Sequence, residues 1–179
     1  MEALRAILVD LLNPEKAAAA TGQMKGVRND PQLLPNLMQL TLSDSDPGVR
    51  QMAAVILRKD LSRKFTQLNK TDQDQLRAAI IQALTNEQHP PVWSAVAEVS
   101  ASILRKHATW PQFFQLVQQA CNGADTAKGA ELLARMAASS PSVIRDQTTA
   151  AQGLQLVAKC FQNTDRDRFR KSFYYPSIG

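Results

Sequence analysis

The chain is short of glycine and aromatic residues: 7 glycines in 179 positions, and 6% Phe, Trp and Tyr. No glycine-rich loop is present to cradle a phosphate, and no strained turn carries an exposed nucleophile. Its two cysteines, Cys121 and Cys160, are too few for a disulfide framework or a cysteine metal cluster. They read as reduced core residues. The two histidines, His89 and His107, have no cysteine or carboxylate at metal spacing and read as turn or cap residues. No apolar run reaches the ~18 residues a membrane span needs. The short apolar stretch at the N-terminus is interrupted by Glu2 and Asp10, and no small-residue cleavage site follows it. These absences argue against catalysis, metals, cofactors and membrane insertion.

What is abundant is Ala, Leu and Gln, a helix-favouring composition. With 44% apolar residues and a mean hydropathy of −0.26, this is the profile of a globular chain. The net charge is +5, but +3 of it lies in residues 166–179, where Arg166, Arg168, Arg170 and Lys171 face only Asp167. A near-neutral body with a basic tail makes nucleic acid an improbable partner.

The apolar residues recur at helical spacing. In 90–106, Val92, Trp93, Val96, Val99, Ile103 and Leu104 share one face, with Ser94, Glu98, Ser102 and Arg105 opposite. Pro90-Pro91 suits a helix start, where the first N–H groups need no partner. Thr109 then reads as an N-cap with Pro111 in the first turn. Trp110, Phe113, Leu116, Val117 and Ala120 form the inner face of the next helix. Trp110 is expected as a corner plug. An earlier helix runs from about Pro47 to Ser62, with Val49, Met52, Ala53, Ile56 and Leu57 as its stripe. The next is capped by Thr71, with Asp74 as a partial capping box and Leu76, Ala79, Ile80, Ala83 and Leu84 inward. A short helix, about Glu2 to Leu12, is broken before Pro14.

Second helices open near Pro31, Thr71, Thr109 and Pro141, about 40, 38 and 32 residues apart by this reading, a spacing typical of HEAT or armadillo repeats. The expected fold is all-α, a right-handed α-solenoid of about four HEAT-type helix pairs over residues 1–162, with 163–179 a basic, aromatic non-repeat tail. The exposed faces of the second helices are rich in amides. Gln32, Asn36 and Gln39 lie on the first. Asp74, Gln75, Gln82 and Thr85 lie on the second, with Ala78 and Ile81 as a small apolar spot. Gln112, Gln115, Gln118 and Gln119 lie on the third. An amide lining suits protein contact, or plain solvation, better than phosphate. The cluster Arg58, Lys59, Arg63 and Lys64 reads either as a solvated helix end or as an anionic contact. Cutting the array after four pairs would bare Leu154, Val157 and Phe161 and promote self-association.

Three stretches, "QMAAVILRKDLSRKF", "LRAAIIQAL" and "VAEVSASILRKHATWPQFFQLV", resemble the N-terminal repeats of the importin-beta (karyopherin) family, most of all its importin four branch. Trp110-Pro111 opening a second helix and the early "NPEKAAAATGQM" carry the same resemblance, which covers about residues 1–162. It implies a nuclear transport receptor moving between cytoplasm and nucleus. It implies binding of the GTP form of the small GTPase Ran on the second-helix faces above. In a full-length form it implies nuclear import cargo and pore proteins as further partners. Family members are far longer, so the resemblance is to a truncated form, and the basic tail departs from it. A general HEAT-repeat scaffold is the alternative.

Overall fold

A computed structural model describes residues 1–106, 110–122 and 126–139, together with Gln155 and Ala158. The described residues form eight α-helices and two 3-10 turns, and none is strand. The chain divides into two compact units, Met1–Lys106 and His107–Gly179. In the first unit lie α1 (Glu2–Leu12), α2 (Ala17–Gly26), α3 (Leu33–Ser43), α4 (Pro47–Lys64), α5 (Lys70–Asn86) and α6 (Pro90–Leu104). The second holds α7 (Pro111–Asn122) and α8 (Thr126–Ser139). The expected helix after Pro141, the stripe Leu154, Val157 and Phe161, and the tail lie outside the described residues, as do His107 and Thr109.

Within the first unit, α4 packs against α1 on one side and α6 on the other, while α3 packs against α5. This makes two layers: α1, α4 and α6 in one, α3 and α5 in the second. The α3–α4 and α5–α6 contacts join them. The second helices open at Leu33, Lys70 and Pro111, which are 37 and 41 residues apart. This is the two-layer helix-pair architecture of HEAT repeats.

Alternation of layers follows from the burial pattern. Helix α4 lies between two neighbours, so its buried set is wider than one stripe: Val49, Ala53, Ala54, Leu57 and Leu61 are all at most 1% exposed. The sequence stripe included Met52 and Ile56, which are half-buried. Alanines at 53 and 54 allow close approach on both sides. Helices α3–α4 and α5–α6 form packed hairpins, whereas the α4–α5 pair grouped by the sequence period does not. Three-residue turns, 44–46 and 87–89, hold the former together, whereas α4 and α5 are separated by the 3-10 turn Phe65–Gln67 and two further residues.

Three local expectations are corrected. Helix α5 is capped by Asn69, not Thr71: Asn69 Oδ1 accepts from the Asp72 backbone N–H at 2.9 Å. The Asn69 amide also donates to the Asp72 carboxylate at 2.8 Å, a reciprocal cap that threonine at 71 does not make. Helix α3 begins at Leu33, two residues after Pro31, because the Asp30 carboxylate first holds the Gln32 N–H in a turn at 2.8 Å. Ser102 is buried rather than solvent-facing, 3% exposed, as is Ser100. Each serine hydroxyl donates to a carbonyl three residues back, to Val99 at 2.8 Å and Ala97 at 2.7 Å, so neither enters the interior unsatisfied.

In the second unit α7 packs on α8. Phe113, Val117 and Cys121 of α7 are fully buried, with Leu132 and Met136 of α8. Trp110 is 4% exposed and its ring lies 5.2 Å from that of Phe113. Gly129 marks the closest approach: a Cβ there would stand 2.6 Å from the Cys121 backbone nitrogen.

Two identical substitutions are therefore expected to act in opposite directions. Gly129→Ala forces the α7–α8 backbones apart and is expected to destabilise by about 1–3 kcal/mol. In α2, Gly22 has nothing within 4 Å of a new Cβ. Gly22→Ala is expected to stabilise by up to ~1 kcal/mol through helix propensity. Urea denaturation of the two variants measures both signs.

Candidate partner-binding face and its ion-pair frame

Two of the three amide-rich helices named from the sequence are neighbours in one layer. On α3, Gln39 is exposed and Asn36 half-buried, with Gln32 exposed at the cap. On α5, Asp74, Gln75, Ala78, Gln82 and Thr85 are exposed and Ile81 half-buried. Asp74 is the one charged member of this set, and Lys70 and Arg77 each approach it at 3.5 Å. The α3–α5 layer thus offers amides, a hydroxyl and a small apolar spot. On α7, Gln112, Gln115 and Gln119 are exposed and Gln118 half-buried, facing away from Phe113, Val117 and Cys121.

A frame of part-buried ion pairs positions this layer. Asp44 ends α3, and Arg5 of α1 grips it with two prongs, Nε to Oδ2 at 2.7 Å and Nη2 to Oδ1 at 3.2 Å. Glu87 ends α5, and Arg50 of α4 grips it in the same way, at 2.9 and 3.2 Å. Each arginine sits at the fourth position of its helix. Each carboxylate also accepts the backbone N–H two residues on, Asp46 for Asp44 and His89 for Glu87. Arg50 further donates to the Asp44 carbonyl at 2.8 Å, which joins the two clamps into one network. The corresponding position in α6 is Trp93, whose indole N–H donates to the Leu84 carbonyl of α5 at 3.0 Å.

The electrostatics follow from the geometry. The Arg5 hydrogen bonds hold the Asp44 carboxyl below its ordinary value of 3.8, against a desolvation that would raise it. For Glu87 burial is the largest influence and pushes upward. The bonds from Arg50 and the His89 N–H together outweigh it and leave the carboxyl below 4.5.

A cleft of about 350 Å³ opens between the ends of α3 and α5, lined by Thr41–Asp44, Arg50, Gln82, Ala83 and Asn86–Gln88. Of the candidate contact residues named from sequence, Gln82 alone lines it. Sequence reading missed Arg5, Asp44, Arg50 and Glu87. The available signal was an acid three residues before a helix-opening proline, Asp44 before Pro47 and Glu87 before Pro90.

The basic cluster is partly consumed inside the unit. Arg58 faces Glu98 of α6 at 3.5 Å, and Lys64 donates to the Arg28 carbonyl. Lys59 and Arg63 are exposed. Beside them the buried Asp60 faces Arg28 Nε at 3.2 Å, tying the 3-10 turn Val27–Asn29 to α4. His89 stands exposed at the cap of α6. Among the described residues no helix is long and apolar enough to cross a membrane.

The importin-beta N-terminal domain family matches residues 20–86, from within α2 to the end of α5. The chain carries an importin-beta N-terminal domain. The matched segment holds both helices of the amide-rich layer and the Asp44 and Arg50 members of the clamps. Importin-4 of Mus musculus is 32% identical over 145 residues, 77% of this chain and 13% of that protein. Importin-4 of Homo sapiens is 36% identical over 116 residues, 63% of this chain and 11% of that protein. The chain thus spans between a tenth and a seventh of the length of these relatives. No solved structure matches with significance.

Arg50→Ala in this importin-beta domain leaves the part-buried Glu87 without its cation and is expected to cost about 1–3 kcal/mol. The lowered carboxyl values also fix a pH response. Both groups contribute stability that is complete above their ordinary values, 3.8 and 4.5, and is lost as pH falls through the lower folded values. Urea midpoints taken from pH 6 down to pH 3 are expected to fall, and to fall less steeply in Glu87→Gln.

Proposed function

We propose that this chain is the GTPase-facing end of a nuclear transport receptor. In this reading it binds the GTP-bound form of the small GTPase Ran and takes part in protein import into the nucleus. The observation that carries the proposal is the importin-beta N-terminal domain at residues 20–86, whose α3 and α5 present an exposed, amide-rich layer. Gln39, Gln75, Ala78, Ile81 and Gln82 are the proposed contacts there; in the second unit Gln112, Gln115 and Gln119 on α7 are proposed contacts as well. Amides and an apolar spot on rigid helices give directional hydrogen bonds without the cost of desolvating charge. Import cargo and pore proteins are partners of a longer form, and the working compartments are cytoplasm and nucleus. The name shared by the mouse and human relatives supports the same assignment.

A general helical-repeat scaffold is the competing reading, and nucleotide dependence separates the two. GTP-loaded Ran is expected to bind at least about tenfold more tightly than GDP-loaded Ran, a difference of roughly 1.4 kcal/mol. Ala78→Arg, a charged and bulky change on the exposed face of α5, is expected to lower GTP-form affinity by a similar factor with an unchanged melting temperature. Calorimetry measures both. Equal affinity for the two nucleotide forms contradicts the proposal.

A further inference from the structure

The first unit gathers cations at one edge. Helices α4 and α6 run parallel: Arg50, near the start of α4, reaches Glu87 in the turn before α6, and Arg58 faces Glu98 further along. Their C-terminal ends therefore lie side by side. The end of α2 joins them, because Lys64 donates to the Arg28 carbonyl and Arg28 faces Asp60. Lys25 of α2, Lys59 and Arg63 of α4, and Arg105 and Lys106 after α6 are exposed there. Among the described residues, none of these five side chains has a hydrogen bond or an ion pair.

The charge at this edge does not cancel. Arg28 offsets Asp60, and Lys70 and Arg77 share Asp74. The remaining acids nearby, Asp30 and Asp72, sit in the turns that start α3 and α5. With about −0.5 for each C-terminal end of α2, α4 and α6 and about +0.5 for each start of α3 and α5, the balance is about +4. The clamp edge, at the other ends of α4 and α6, is close to neutral, with Arg5 and Arg50 against Asp44, Asp46 and Glu87. Helix dipoles explain only part of the difference. Their pull is confined to the last turn, and Lys59 precedes the last turn of α4. Like charges crowded on one edge repel one another, at a cost to the fold. One turn before Lys59, on the same face of α4, Val55 is 41% exposed.

We propose that this edge binds an extended acidic polypeptide segment, rich in Asp and Glu and carrying an apolar residue that meets Val55. Packed helices stand about 8–10 Å apart, so the three ends span roughly 20 Å, the length of about six residues of extended chain. Carboxylates on such a segment meet cations that are already without partners, so binding breaks no internal bond. Nucleic acid fits less well. Phe65 and Trp93 of the first unit are buried, which leaves neither ring open for base stacking. The edge is separate from the exposed face of the α3–α5 layer, and the proposal does not rest on the GTPase reading.

The test measures fluorescence anisotropy on the full chain with three labelled probes: a peptide of alternating Glu and Asp with one central Leu, its Gln and Asn counterpart, and a single DNA strand of equal charge. The acidic peptide is expected to bind at least about tenfold more tightly than the amide peptide and more tightly than the DNA. Raising ionic strength from about 0.1 M to about 1 M shortens the screening length from ~10 to ~3 Å and is expected to abolish binding. Lys59→Glu combined with Arg63→Glu is expected to weaken it at least about tenfold, and Lys106→Glu about threefold. The melting temperature is expected to hold or rise in these variants, because repulsion is relieved. Ala78→Arg, on the other layer, is expected to leave peptide binding unchanged. Equal binding of both peptides overturns the proposal, as does tighter binding of the DNA. Binding that the double variant leaves intact belongs to the basic residues 166–179 and also overturns it. A lowered melting temperature alongside the lost binding assigns these cations to the fold instead.

Discussion

A two-pronged arginine grip on the carboxylate that ends the following second-layer helix fixes the geometry of the first unit. Stacked helices lack the continuous hydrogen-bond ladder that aligns strands in a sheet. Apolar burial is non-directional and sets only how closely neighbours approach. Register and tilt need directional contacts. Arg5 on Asp44 and Arg50 on Glu87 supply them between layers, and the Arg50 bond to the Asp44 carbonyl links one clamp to the next. Burying such groups is favourable only when nearly every donor and acceptor is used. The additional bonds from the Asp46 and His89 N–H groups meet that requirement.

The frame also explains the character of the exposed face. Charged residues are not scarce in the first unit, but many are engaged internally: Arg5, Arg28, Arg50, Arg58 and Lys64 all have partners within it. The named α3–α5 face is left with amides, Thr85, Ala78 and Ile81, and its one charge, Asp74, is met by Lys70 and Arg77. A basic cluster that reads in sequence as a possible anion contact is, in its Arg58 and Lys64 members, part of the packing of α4 against α6 and against the 3-10 turn after α2. The same economy of cations leaves the ends of α3 and α5 with Arg50 as the one positive charge in a lining that holds two carboxylates.

Local pattern was sufficient for much of this fold. The bounds of α1, Glu2 to Leu12, follow from an apolar stripe ended by Pro14, and α4 opens at Pro47 because Asp46 caps it and proline fits the first turn. Misreadings arose where two residues compete for one local role. Asn69 wins the α5 cap over Thr71 through a second hydrogen bond, and Ser102 enters the interior because a serine in a helix satisfies its own hydroxyl. The amide faces of α3 and α5 were legible because solvent exposure is the complement of the stripe. The clamps were not, since their partners lie 39 and 37 residues apart and no short window contains both. Their only sequence trace is the acid ahead of a helix-opening proline, which recurs from Asp44 to Glu87 but names no arginine.

The third position of the series shows where this device stops. Trp93 stands where Arg5 and Arg50 stand in their helices, and it reaches back to the Leu84 carbonyl rather than forward to a carboxylate. An indole offers one donor and a large apolar surface, so at this position α6 is held to α5 by burial together with that directional bond. Helix α6 is correspondingly apolar through its last turn, where Ala101, Ser102, Ile103 and Leu104 are all buried. The importin-beta match runs to residue 86, one residue short of the second clamped carboxylate. The matched segment therefore holds Asp44 and Arg50, while Arg5 and Glu87 lie beyond its two ends. Within it the α3–α5 layer is braced by ionic contacts at its ends, and its outer face is free of the need to contribute charge. A partner face gains from this division, because side chains that do not hold the fold together are available to meet another surface.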